Sequence, residues 1–223
     1  MLISHRYKFI YLKTKKTGGT SVEVALEPLA HPEGAEITLG RGGRRDGAVE
    51  TEAGVVSGRG NRSRHEKWGA HMGAAAVKAQ LSDEVWNTYL KICNVRNPWD
   101  KTVSFFHMHH PDVKGEGKDA IVETFRDWLA GARNLGEDLH IYAIDGKPVI
   151  DEFIHYETLE EDYGRVCERL GVAAAELPSM KANFRGAKKI PYQEYYDDES
   201  REIVAEAYER DIEILGWTFD GRA

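Results

Sequence analysis

Apolar residues along this chain come in short bursts, and the spacing within each burst predicts an element. Lys8 to Leu12 (KFIYL) is short, β-branched and aromatic, and it ends abruptly in a Lys/Thr/Gly run, which predicts a buried strand entering a loop. From Ser21, the residues Val22, Val24, Ala25 and Leu26 followed by Pro28 predict a short helix stopped before the proline. Ala74 to Gln80 predicts a helix. Ser82 then reads as an N-cap, with Asp83 and Glu84 favouring the positive end of a helix running to about Tyr89. Lys91 to Val95 (KICNV) is a second buried-strand candidate, and Asn97-Pro98 opens a helix that carries Trp99, Val103 and Phe106 on one face.

The same reading covers the rest of the chain. Ile121, Phe125, Trp128 and Leu129 mark an amphipathic helix closed near Gly131. The stretch IYAID-GK-PVIDEFIHY predicts a hairpin around Asp145-Gly146 feeding a further strand. Leu159, Tyr163, Val166 and Leu170 mark a helix ended by Gly171, and Ile203 through Leu215 a last helix ended by Gly216. Gly34 to Trp68 stands apart: dense in glycine and arginine and without apolar periodicity, it predicts a long loop at about 34–68. Strands alternating with helices predict an α/β fold, a mainly parallel central sheet flanked by helices in three layers.

Composition narrows the function. With 223 residues, 41% hydrophobic and 30% charged, one globular domain spanning 1–223 is expected. The formal charge of -7 argues against indiscriminate binding to nucleic acid or anionic membrane, so any anion site must be a local positive pocket. No stretch reaches the ~18 apolar residues that span a bilayer, and the first residues lack an export signal, so a cytoplasmic location is expected. Cys93 and Cys167 sit in apolar segments and predict core thiols rather than a disulfide scaffold. Oligomeric state leaves no mark on the sequence.

The sharpest chemical signal is Lys16-Thr17-Gly18-Gly19-Thr20-Ser21, set between a strand and a helix. Two glycines let backbone approach an anion, and the following amides and helix N-terminus point donors at it. Thr17, Thr20 and Ser21 add hydroxyls, and Lys16 a point charge. A nucleoside-triphosphate loop needs the lysine after the glycines in a longer loop, which this segment lacks. A second segment, Val95-Arg96-Asn97-Pro98-Trp99-Asp100-Lys101-Thr102-Val103-Ser104, puts an arginine at a strand end and a serine two turns into the next helix. Arg96 offers a planar fork for a phosphate dianion, with Ser104 as a helper. The alternative is that Arg96 serves a structural ion pair and Ser104 the helix surface.

Together these segments resemble the sulfotransferase superfamily that uses 3′-phosphoadenosine 5′-phosphosulfate, in its carbohydrate-sulfotransferase branch. The family's PKTGGTS appears here as KKTGGTS and its VRNPWDRLVS as VRNPWDKTVS. The stretch GAHMGAAAVKAQLSDEVWNTYLKICNVRNPWD is similar to the family's histidine-led helix and arginine strand. VIDEFIHYETLEEDYGRVCERLGV and YYDDESREIVAEAYERDIEILGWTF are similar to its C-terminal half. The resemblance implies a P-loop-like fold and transfer of a sulfuryl group to an acceptor hydroxyl, on a carbohydrate. Lys15 through Ser21 would hold the 5′-phosphosulfate, Lys16 would act catalytically, and Arg96 and Ser104 would bind the 3′-phosphate. Lys15 replaces the family's proline and Lys13 stands where a histidine is common, so three lysines compete for the role given to Lys16.

Removing a proton from an alcohol calls for a base titrating near neutrality, and His71 matches the family's histidine, with His65 as understudy and Glu66 as a weaker alternative. Arg185, Lys188 and Lys189, in the basic stretch Asn183 to Tyr192, are further cofactor candidates. His107, His109 and His110 make a metal site conceivable, but this chemistry needs no metal and a solvated helix end is the plainer reading. Two rival functions remain: a P-loop-type kinase using ATP and magnesium on a small hydroxyl substrate, and a non-catalytic nucleotide- or glycan-binding relative.

Overall fold

The computed structural model describes residues 1–59, 67–178 and 190–222. Where one domain is expected from the sequence, contacts divide the chain into two units, Met1–Val95 with His140–Met180, and Arg96–Leu139 with Lys181–Ala223.

The first unit is built on a six-stranded sheet in the order β3-β4-β1-β2-β5-β8. Its strands are β1 (Leu2–Ser4), β2 (Phe9–Leu12), β3 (Val49–Thr51), β4 (Gly54–Val56), β5 (Leu90–Val95) and β8 (Glu152–His155). The expected parallel sheet is its β2-β5-β8 half, with Leu12 opposite Cys93 and Val95 opposite His155. On the other side of β2 the pairings of β1, β4 and β3 are antiparallel. The helices are α1 (Gly19–Leu26), α2 (Ala74–Lys78), α3 (Asp83–Thr88) and α7 (Leu159–Leu170), with the short α6 (Leu139–Tyr142) where the chain returns to this unit. Ser82 caps α3 by accepting from the Val85 amide, as the sequence predicts. The β6–β7 hairpin (Ala143–Ile144, Lys147–Pro148) turns on Asp145 and Gly146, both at positive φ, the turn that Asp-Gly favours.

Side-chain alternation explains the core. Phe9 and Tyr11 point to one face of the sheet together with Leu2, Val56, Ile92 and Ile154. Val22 and Leu26 of α1 and Tyr163, Val166 and Cys167 of α7 pack on that face. Each such fully buried side chain stabilises the unit by about 1.5–3 kcal/mol. Ile10 and Leu12, of opposite parity, are also wholly buried, so β2 is covered on both faces, as a central strand of a partly parallel sheet must be.

Two sequence expectations need correction here. The 34–68 segment is not loop throughout: β3 and β4 lie within it and extend the sheet beyond β1. Strands of three residues are too short to register as periodicity. Their pairing instead depends on Gly54 (φ 155), where a Cβ would lie 2.0 Å from the Ile3 carbonyl oxygen. The first residues, Leu2–Ser4, form a strand that the sequence reading passes over.

The second unit holds α4 (Pro98–His109), α5 (Lys118–Gly131), α8 (Asp198–Ala207), α9 (Glu209–Leu215) and a hairpin of β9 (Trp217–Thr218) and β10 (Gly221–Arg222). Its aromatic core joins Phe106 of α4 and Phe125 of α5 at 5.3 Å, with Tyr195 and Tyr196 5.2 and 5.1 Å from Phe125. The predicted last helix is broken in two. Tyr208 interrupts it at φ -110, ψ 19, because its buried hydroxyl donates to the Leu135 carbonyl at 2.8 Å.

Gly54→Ala is expected to lower the unfolding free energy by about 2–4 kcal/mol, since the methyl group forces β4 off β1. Urea denaturation followed by far-UV circular dichroism checks this; an unchanged midpoint contradicts the role given to Gly54.

Candidate functional site

The turn leaving β2 is held from beneath by polar groups that two buried strands contribute. The Tyr11 hydroxyl sits between the Gly19 carbonyl (3.0 Å) and Asn94 Oδ1, while Asn94 Nδ2 donates to the Thr17 carbonyl at 3.4 Å. Burial pushes the Tyr11 phenol well above its ordinary value, so it serves as a neutral hydroxyl. The Thr14 hydroxyl donates to the Asn94 carbonyl, and the hydroxyls of Thr14 and Thr17 lie 3.0 Å apart. Thr17 therefore spends its hydroxyl inside the loop, where it also donates to the Thr14 carbonyl at 3.3 Å.

Above this support the backbone takes an unusual course. Lys16 has φ 62 and Gly18 φ 72, with Thr17 at negative φ between them. A left-handed lysine costs roughly 1–3 kcal/mol, and such strain marks functional turns. Alternating backbone signs turn successive amides to one side, the geometry of an anion nest. Gly18 is then the N-cap of α1, which no side chain caps, so the positive end of the helix is presented by backbone alone. Lys15, Lys16 and Thr20 are half-buried around the turn, and Ser21 is buried with its amide on the Gly18 carbonyl at 2.9 Å.

The three lysines are not equivalent. Lys13 is 4% exposed and its ammonium bonds the carboxylate of Glu23 on α1, itself fully buried. Burial alone would raise the Glu23 carboxyl, but Lys13, the amino group of Met1 at 2.6 Å and Arg59 outweigh it and bring it to about 2. The Lys13 charge is thus cancelled beneath the turn, whereas Lys15 and Lys16 are half-buried around it. One turn further along α1, Glu27 receives Arg45, Arg59 (2.5 Å) and His31 (3.3 Å). These two arginines of the predicted Gly/Arg loop tie that segment to the end of α1. Arg41 and Arg44 are exposed.

His71 lies in this unit, exposed, two residues before the Gly73 cap of α2, and its Nδ1 is 2.7 Å from the Lys13 carbonyl. A carbonyl only accepts, so Nδ1 carries the proton and the lone pair of the neutral ring is on Nε2. His65 and Glu66, the alternative bases, lie outside the described residues, as do Arg185, Lys188 and Lys189.

Arg96 and Ser104 belong to the second unit. Asn97 accepts from the Trp99 amide at 3.1 Å and, with Pro98 at the first position, starts α4 directly after Arg96. Nε and Nη2 of Arg96 both reach Asp100 Oδ2, at 2.7 and 2.6 Å. The pair orients the guanidinium through one of its edges. Positions 96, 100 and 104 recur at i, i+4 and i+8, so buried Ser104 continues the stripe. The histidines that follow serve packing: His107 is buried, not solvated, with Nε2 2.8 Å from the Tyr195 hydroxyl, and His110 stacks on Phe106 at 4.8 Å. Among the described residues no group of three or more His, Cys, Asp or Glu side chains is placed to hold a metal ion.

Sequence reasoning passed over Glu23, Tyr11 and Asn94. The signals were present: two glutamates four apart in an otherwise apolar helix, and an asparagine inside a buried strand.

The model of the sulfotransferase family matches residues 1–218. A protein of Archaeoglobus fulgidus, described as uncharacterized, is 28% identical over 102 residues, 45% of this chain and 83% of that protein. No solved structure matches.

Glu23→Gln removes the shared partner of Lys13, Arg59 and the Met1 amino group, the last lowered by burial to about 5 and so a neutral donor at neutral pH, and a loss of about 3–5 kcal/mol is expected there. Because the folded-state value of Glu23 is depressed, its contribution is complete above about pH 4.5 and is lost as pH falls through about 2. Denaturation of parent and variant across this window checks it: the gap between them must narrow on acidification.

Proposed function

This chain belongs to the sulfotransferase family, and from that premise we propose that it uses 3′-phosphoadenosine 5′-phosphosulfate to sulfate an acceptor hydroxyl on a carbohydrate, with His71 as base. The observation that carries the reading is the Lys16–Ser21 turn, where strained backbone at Lys16 leads into a helix start that no side chain caps.

The donor set fits the anionic end of this nucleotide. Hard backbone and ammonium donors suit phosphate and sulfate oxygens, and glycine at position 18 allows the positive φ that the turn needs. When bound, the nucleotide supplies a sulfuryl group already activated by its link to phosphate. Amides from Gly18 to Thr20 bind and orient the 5′ end, with Lys15 and Lys16 neutralising it. The Lys16 backbone is held at its strained position, and its ammonium would stabilise the charge that develops as the sulfuryl group leaves. Arg96, oriented by Asp100, and Ser104 supply a fork and a hydroxyl for the 3′-phosphate. At His71, Nε2 accepts the acceptor's proton, and the Lys13 carbonyl steadies the imidazolium that results by holding Nδ1–H. Carbohydrate as the acceptor rests on the resemblance to that branch of the family.

The kinase alternative finds no support in the turn, whose lysine precedes its glycines. Adenosine 3′,5′-bisphosphate is expected to raise the melting temperature, while ATP with magnesium does so much less; the reverse order would favour a kinase. Lys16→Ala is expected to lower the transfer rate by roughly 10²–10³-fold and His71→Ala by roughly 10²–10⁴-fold, the latter with nucleotide binding retained. Sulfate transfer from radiolabelled donor measures both, and full activity in His71→Ala would remove histidine from the base role.

A further inference from the structure

Lys13 touches three parts of the site at once, and no catalytic or binding role above uses its side chain. Its carbonyl takes the His71 Nδ1–H bond at 2.7 Å. Its stem lies under the turn, where a Cβ on Gly19 would come within 2.7 Å of Lys13 Cγ and 3.1 Å of Cδ. Its ammonium ends on the buried Glu23 carboxylate, in the helix that starts at that same Gly19. The stem and ammonium anchor the Lys13 Cα, and the Thr14 hydroxyl on the Asn94 carbonyl anchors the next residue, so the peptide that bears the carbonyl is held at both ends.

We propose that Lys13 is a positioning residue: the Lys13–Glu23 pair fixes the direction of the Lys13 carbonyl and thereby the tautomer and orientation of His71 relative to the turn that carries Lys16. The proposal rests on the reading of His71 as the base. Glu23 cancels the Lys13 charge, so the contribution is geometric rather than electrostatic. A misplacement of about 1 Å in a reacting group can cost on the order of 100-fold, which is the scale at stake.

Lys13→Met tests this, because it keeps an unbranched stem, removes the ammonium and leaves Glu23 with Arg59 and Ser57. Long-range ¹H–¹⁵N NMR of neutral His71 is expected to give the single Nδ1–H tautomer in the parent and a mixture of tautomers in Lys13→Met. The turnover rate is expected to fall ~10- to 100-fold while the Kd for adenosine 3′,5′-bisphosphate changes by less than about threefold. Lys13→Arg, which restores a cation for Glu23, is expected to recover the tautomer. An unchanged His71 spectrum in Lys13→Met overturns the proposal, as does loss of nucleotide affinity in step with rate. Should Lys13→Met not fold, the parent spectrum decides, and a parent His71 in mixed tautomers or protonated at Nε2 overturns it. If the parent holds the tautomer but neither binds the bisphosphate nor transfers sulfate, the proposed function fails and the positioning of His71 stands.

Discussion

A carboxylate with no access to water organises the first unit. Glu23 sits in the interior of an eight-residue helix and is ionised there because Lys13, Arg59 and the Met1 amino group surround it. An isolated charge at that depth would cost far more than a small domain's net stability, so the cations are obligatory. They come from β2's exit, from the segment after β4 and from the start of β1, and satisfying Glu23 therefore fixes three separate stretches of chain against α1. Glu27, one turn on, repeats the arrangement with Arg45, Arg59 and His31. The turn at Lys16–Ser21 owes its strained backbone to this foundation, since a left-handed lysine persists only where its surroundings over-determine it.

The polar interior also sorts residues that look alike in sequence. Three lysines within four positions divide into one that is neutralised and two that border the anion turn. Arginines of the glycine-rich segment divide into exposed Arg41 and Arg44 and interior Arg45 and Arg59. In the second unit the Arg96–Asp100 pair is compatible with both readings of Arg96: a structural ion pair that also orients a guanidinium by one edge. In each case the partner, not the residue type, decides the role. The same logic assigns the tautomer of His71, which a single carbonyl determines.

Much of this was legible in the chain. Helices with a cap and a stop signal, such as Ser82 before α3, Asn97-Pro98 before α4 and Gly171 after α7, are specified by contacts within a few residues, and they appear where the pattern puts them. The Asp145-Gly146 hairpin is local in the same sense. The Lys16–Ser21 turn could be read because its chemistry is carried by consecutive backbone groups. What escaped were elements whose stability is borrowed from distant partners: the three-residue strands β3 and β4, β1 at the very start, and the break at Tyr208, which depends on a carbonyl at Leu135.

The sequence by itself determined the alternation of elements, the glycine turn between β2 and α1 and the family, because periodicity, capping and contiguous motifs act over short stretches of chain. Only the tertiary structure decided which lysine is silenced, which nitrogen of His71 bears the proton, and why Gly54 and Tyr208 are where they are. Those outcomes depend on burial and on pairings tens of residues apart, the Lys13 carbonyl with the His71 ring and Glu23 with Arg59, and in low-dielectric surroundings such pairings outweigh any local preference.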